Sequence, residues 1–294
     1  MSRYACARFV LHMFLAVSIL STAASMRLLA AEDGGERLVR FQRGSEILHG
    51  VLDGNRVVAL AGDFFEQRQR TDQSYPLDSV KLLAPVEPTK ILAAALNYKS
   101  HLEDREAPQR PEFFFKPPSC VIADGEPIVL PSGSSDVHYE AELVIVIGRR
   151  AKDVPVEQAL DYVLGITCGN DVSARDWQEG DIQWWRAKGV DTFGPVGPVI
   201  ATGIDYDNVE LVGRLNGEVK QKANSNDLLF GVAEMVSFAS RHVTLEPGDL
   251  IFTGAPGVTS RLAPGDVFEV EIEGVGVLSN PVQADKPAQG NPRK

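Results

Sequence analysis

From Arg37 onward the apolar residues come in short runs of strand length closed off by glycine, proline, asparagine and aspartate, and only two stretches repeat with a helical period. A doubly wound parallel sheet needs strands that alternate with helices, so that class is excluded and a β-rich α+β fold is expected. LVRF, EILHGVL, a turn at Asp53 to Asn55 and RVVAL make a small β module. The polar segment from Glu66 to Ser79, with Pro85 and Pro88 after it, separates this module from a buried strand at Ile91 to Leu96. Further strands are ELVIVIG, VELVGRLNGEVKQ with an Asn216-Gly217 hairpin turn, DLIFTG and DVFEVEIEGVGVL. One helix is expected at Val156 to Val163, with Asp153 as N-cap and Pro155 in its first turn, and a second from Asp227 to about Ser240.

The beginning of the chain has a different texture. Arg3 and Arg8 precede the apolar run Phe9 to Leu20, and small residues follow from Ser21 to Ser25, which is the build of a secretory signal peptide. The run is short for a membrane span, so removal and release to the periplasm or medium are expected, with no membrane attachment afterwards. A start near Met26 and a cytoplasmic product is the alternative. The chain then divides into a signal at 1–31, a small N-terminal β module at 32–85, a catalytic domain at 86–285 and a polar tail at 286–294.

A chain of 294 residues can bury a sizeable core. Its formal charge of -11 and lack of a Lys/Arg cluster argue against a nucleic-acid binder, which must neutralise phosphates. Small anionic substrates remain open, because a bound metal or a few cations override the global field at short range. Cys120 and Cys168 show no zinc or CxxC spacing and are expected to be buried as small apolar residues.

Two segments carry candidate chemistry. In HYEAELVIVIG, strand alternation puts Glu140 and Glu142 on one face, where two like charges repel unless a cation lies between them. The competing reading is a solvated strand end. In GITCGNDVSARDWQ an apolar strand runs into Asn170 and Asp171, followed by Ser173, Arg175, Asp176, Trp177 and Gln178. Three carboxylates with water suit a hard cation, Mg²⁺ or Mn²⁺, with Ca²⁺ as a substitute in a crystal. Lys116 and Arg175 are candidate clamps for a substrate carboxylate, with structural ion pairing as the alternative for each. Trp184 and Trp185 read as packing residues, and His49, His138 and His242 as structural or exposed.

NYKSH at Asn97 to His101, FFFKPPS at Phe113 to Ser119, YEAELVIVIGR, GNDVSARDWQ, KGVDTFGPVGP at Lys188 to Pro198, LNGEVKQ and LEPGDLIFTG together resemble the fumarylacetoacetate hydrolase family, from about Arg37 to Val282. The resemblance implies a mixed β-sandwich or roll catalytic domain, and a divalent metal on Glu140, Glu142 and Asp171. It places Lys188 and Thr192 beside that metal, His101 as general base, and Gln178 and Thr253 facing the substrate. The family often has glutamate three residues after this histidine; here Asp104 stands there, with Glu103 beside it, and either is a candidate to orient His101. The TGTP segment of the family is TGAP here because of Ala255, which removes a hydroxyl. The implied activity is metal-dependent cleavage of a C–C bond in acylpyruvate or fumarylacetoacetate-type β-diketo acids. Isomerisation of hydroxymuconate-type diacids such as 2-hydroxyhepta-2,4-diene-1,7-dioate, or decarboxylation of oxaloacetate, are the alternatives. A small oxo-acid is the expected partner and a homodimer the expected assembly. An exported binding protein that captures metal or oxo-acids without turnover is the reading from another class.

Overall fold

The computed structural model describes residues 35–66, 68–102 and 105–285. Its main sheet has 12 strands, and four of them form an N-terminal meander: Arg37–Arg43, Glu46–Asp53, Arg56–Leu60 and Arg70–Pro76. This meander joins the rest of the sheet where Arg37–Arg43 pairs antiparallel with Gly194–Ala201. From there the order is Val163–Asn170, Ala141–Ile147, Leu250–Phe252, Ile91–Ala95 and, at the edge, Glu112–Lys116. Leu250–Phe252 and Ile91–Ala95 run parallel to each other.

A second, five-stranded sheet contains Glu210–Leu215, Glu218–Asn224, Val267–Ile272, Gly276–Ala284 and Ile128–Leu130. The Asn216-Gly217 turn that joins its first two strands has both residues at positive φ, 53° and 81°, which suits the right-handed twist of a hairpin. The core lies between the sheets: Tyr139 stacks on Phe268 with centroids 4.2 Å apart, and the Gln221 side chain accepts from the Ala141 N–H at 2.9 Å. Ala141–Ile147 is buried at every position, as the apolar run Leu143 to Ile147 requires of a central strand, and Glu142 is buried with it.

Both expected helices differ in detail. Val156–Tyr162 is a 3₁₀ helix, and Asp153 sits at φ 54° instead of capping it. Only Ala159 of this segment is buried, while Val156 and Leu160 are 39% and 44% exposed, so the helical spacing of its apolar residues does not report a buried face. The second helix is Val232–His242, five residues later than the aspartate expected to open it. The Glu234 carboxylate accepts from the Gly231 N–H at 3.0 Å and fixes this start, whereas Asp227 closes the short 3₁₀ turn Ser225–Asp227. Among the described residues no helix is long and apolar enough to cross a membrane.

Candidate metal centre

The antiparallel register sets Ala141 opposite Asn170 and Glu142 opposite Gly169. One step beyond, the Asp171 N–H donates to the Glu140 carbonyl at 2.9 Å, and the Asn170 side-chain oxygen accepts from the Glu140 N–H at 2.9 Å. The two strand ends therefore deliver three carboxylates to one place. Their oxygens lie within 4.8 Å of one another, and Glu140, Glu142 and Asp171 are 4%, 1% and 1% exposed. The adjoining strand contributes Gly254, whose N–H donates to Glu142 Oε2 at 2.7 Å; its φ of 97° and its close approach to Asn97 favour glycine.

Three cations surround the cluster. Lys188, at the end of the short helix Trp185–Gly189, donates to Asp171 Oδ2 at 2.7 Å and to Glu140 Oε2. Arg175 donates to Glu140 Oε1 at 2.5 Å, to Thr259 Oγ1 at 3.1 Å and to Gln178 Oε1 at 2.7 Å. Lys116 donates to Asp171 Oδ1 at 2.6 Å, to the Phe193 carbonyl at 3.1 Å and to the Lys188 carbonyl. Burial alone would raise the Glu140 carboxyl, but Lys188 and then Arg175 outweigh it and hold the group far below its ordinary value. Burial likewise opposes the charge on Lys188, and Asp171 and Glu140 overcome it, so that ammonium is held above its usual range.

Glu142 is different. Burial, and then the charges of Asp171 and Glu140, push its carboxyl well above the usual range. Among the described residues no cationic side chain forms an ion pair with it. Nearby, the Tyr98 hydroxyl and Asn170 Nδ2 are buried without a hydrogen-bond partner among the described residues. A buried carboxylate lacking its own counter-ion, within an all-oxygen donor set, fits a hard divalent cation, which would make the charged form of Glu142 the stable one.

The cluster borders a cleft of about 490 Å³ lined also by His101, Arg105, Phe114, His138, Gln178 and Trp184. His101 Nδ1 lies 2.6 Å from the Gly257 carbonyl. A carbonyl only accepts, so Nδ1 carries a proton, and Nε2 is left as the nitrogen that can give or take one. Ser100 Oγ accepts from the Gly257 N–H at 3.1 Å and pins the same segment a second time. Asp104 and Glu103, the carboxylates expected to orient His101, lie outside the described residues.

Arg175, Gln178 and Lys188 border the cleft, but two expected substrate contacts do not. Lys116 is 1% exposed and all its donors are turned to Asp171 and backbone carbonyls, because alternation along the edge strand sends it inward while Phe115 faces solvent. Thr253 is fully buried, and its hydroxyl donates to the Leu143 carbonyl at 2.9 Å, which ties neighbouring strands together. Thr192 Oγ1 accepts from the Val129 N–H at 2.9 Å. Trp184 lines the cleft edge-on to Phe114, and Trp185 is 65% exposed.

His138, expected to be structural or exposed, lines the cleft, 2.9 Å from Thr259 Oγ1 through Nδ1 and 3.0 Å from Asp136 through Nε2. Its place two residues before Glu140 puts it on the face of the metal ligands, a signal that alternation alone contained. Asn97 is a structural clasp: its amide donates to the carbonyls of Phe230 and Thr253 and accepts from the Phe230 N–H.

Residues 90–283 match the model of the fumarylacetoacetate (FAA) hydrolase C-terminal family, and residues 36–85 match Rv2993c-like, N-terminal. The chain is 39% identical over 222 residues to mitochondrial oxaloacetate tautomerase FAHD2A of Bos taurus, covering 70% of this chain and 71% of that protein. The structure of 5-carboxymethyl-2-hydroxymuconate delta-isomerase from Mycobacterium smegmatis superposes with a TM-score of 0.81 at 41% identity, over 85% of this chain and 100% of that one. Maleylpyruvate hydrolase from Sphingobium sp. SYK-6, solved with manganese(II) and pyruvate, gives 0.71 at 30% identity over the same shares.

The comparisons correct the expectation of export: the relatives that carry a compartment in their names are mitochondrial, and none of those named here is an exported protein. Residues 1–31 lie outside the described residues, and an apolar run as short as Phe9 to Leu20 is a compositional pattern with more than one possible role. The matches to the FAA hydrolase model and to these relatives, over the region that holds the whole carboxylate cluster, establish that this chain belongs to the fumarylacetoacetate hydrolase family.

Proposed function

We propose that this protein is a divalent-metal-dependent enzyme that moves a proton on a small oxo-acid, as a keto–enol tautomerase or double-bond isomerase. The observation that carries this reading is the buried carboxylate cluster opening on a cleft whose wall presents the His101 imidazole, with its Nδ1 bound to the Gly257 carbonyl. When bound at Glu140, Glu142 and Asp171, Mg²⁺ or Mn²⁺ supplies a Lewis acid to the oxygens of a 2-oxo acid, where enolate charge develops. His101 Nε2 is the base that takes a proton from carbon and returns it, with the ring held in register by the Gly257 carbonyl. Arg175 and Lys188 border the same space and offer positive charge to the substrate carboxylate.

Proton transfer is preferred over hydrolysis because a single base suffices for it, whereas hydrolysis also needs a water held for attack. Relatives named as tautomerase and isomerase stand at 39% and 41% identity, against 30% for the hydrolase. C–C hydrolysis of an acylpyruvate-type acid is the second reading, favoured by the likeness to maleylpyruvate hydrolase at 30% identity.

The test is a rate measurement with purified protein and Mg²⁺ or Mn²⁺. Enol-oxaloacetate and a hydroxymuconate are followed by ultraviolet absorbance, and acylpyruvates by mass spectrometry of products. Metal-dependent loss of enol absorbance at constant mass is expected. Release of two acids from an acylpyruvate, with no acceleration of either isomerisation, would transfer the assignment to hydrolysis.

A further inference from the structure

We propose that Lys116 sets the charge of the metal centre, and thereby its preference for a divalent ion. The inference rests on the metal reading above and concerns a residue that touches neither cleft nor substrate. The three cations around the cluster are held in two distinct ways. Lys188 and Arg175 border the cleft, and their ammonium and guanidinium groups donate to side chains: carboxylates for Lys188, and Glu140, Gln178 and Thr259 for Arg175. Side-chain partners can be exchanged when an ion or an anionic ligand arrives.

Lys116 lacks that freedom. It is 1% exposed, and its ammonium spends one donor on Asp171 Oδ1 and the others on the carbonyls of Phe193 and Lys188. Those carbonyls belong to the backbone on either side of Thr192, and Phe193 is itself fully buried. The ammonium stands behind Asp171, on the side away from the cleft, as a permanent counter-charge. Glu140, Glu142 and Asp171 carry three negative charges, of which Lys116 cancels one whatever else arrives; once Lys188 and Arg175 turn to an anionic substrate, a net charge of about −2 is left for the ion.

This role separates from mere support of the fold by a measurement that does not use turnover. Repulsion from one ammonium grows in proportion to the ion's charge, so removing it favours a trivalent ion half as much again as a divalent one. Lys116→Met and Lys116→Gln remove the charge; Gln keeps a donor for the carbonyls if Met does not fold. Lys116→Arg keeps the charge. Circular dichroism and thermal unfolding establish that each variant is folded, and calorimetric titrations with Mn²⁺ and, separately, Tb³⁺ give the two dissociation constants.

In the neutral variants the ratio Kd(Mn²⁺)/Kd(Tb³⁺) is expected to rise at least about tenfold over wild type. In Lys116→Arg it should stay within about twofold. An unchanged ratio in a folded neutral variant, with both ions weakened alike, would overturn the assignment and leave Lys116 as a support for Asp171. That outcome leaves the proposed reaction standing, whereas a wild-type protein that binds neither ion overturns both.

Discussion

Replacing Glu142 by glutamine should stabilise the metal-free protein while it cripples metal binding. Glu142 lies within 4.8 Å of two other carboxylates, and its one hydrogen bond, from the Gly254 N–H at 2.7 Å, can be accepted equally by a glutamine oxygen. Two unit charges at that separation repel by about 3.5 kcal/mol at an effective dielectric of 20. Attraction to Lys188 offsets part of this, which leaves a gain of about 2 kcal/mol, or about 3 °C in Tm for a chain of this size. The pH dependence fixes the sign. Because the folded state raises this carboxyl, its contribution is fully present below the ordinary glutamate range and is lost as pH rises through the raised value. Glu140 behaves oppositely, its folded value being depressed, so its contribution persists at neutral pH and is lost only on acidification. The assay is thermal unfolding of wild type and Glu142→Gln in EDTA at pH 6 and pH 8, with Mn²⁺ titrations alongside. The variant should melt above wild type by a margin that widens at pH 8, and its Mn²⁺ affinity should fall by about 100-fold or more. A variant that melts below wild type in EDTA at pH 8 would refute the claim that this carboxylate lacks a counter-ion.

His101→Ala should lower kcat by about 10² to 10⁴ with metal affinity unchanged; wild-type turnover would remove the base assignment. Asp104→Asn, compared with Glu103→Gln in steady-state kinetics, tells which carboxylate assists the histidine, and Asp104, at the family's glutamate position, is expected to matter more. Asn97→Ala should cost about 2 to 4 kcal/mol in denaturant unfolding, because it leaves the Phe230 and Thr253 backbone groups without their clasp. Gly169→Ala should destabilise the protein by at least about 2 kcal/mol and weaken metal binding with it. A Cβ there would run into Val144 and stand 2.8 Å from Phe252, and relief of that clash would shift the strand that delivers Asp171.

Much of the site was legible in the chain itself. Alternation put Glu140 and Glu142 on one face, and a strand ending in Asn170-Asp171 supplied the third carboxylate, because a period of two and a strand terminus are local properties. The short apolar runs of strand length carried the β-rich class, and the spaced motifs the family. The helices were less legible: apolar residues at helical spacing look alike whether they face a core or solvent, and Val156 and Leu160 face solvent. What only tertiary structure decided was the partnership of groups far apart in sequence. Lys116 reaches Asp171 across 55 residues and so is a buried counter-charge, not a clamp on substrate. His101 is held by a carbonyl 156 residues away, and Thr253 spends its hydroxyl on Leu143. Residue type tells what a side chain can donate or accept; the pairing of distant strands determines which partner is within hydrogen-bond reach, and a buried donor takes that partner because leaving it unmade costs more than the bond itself gains.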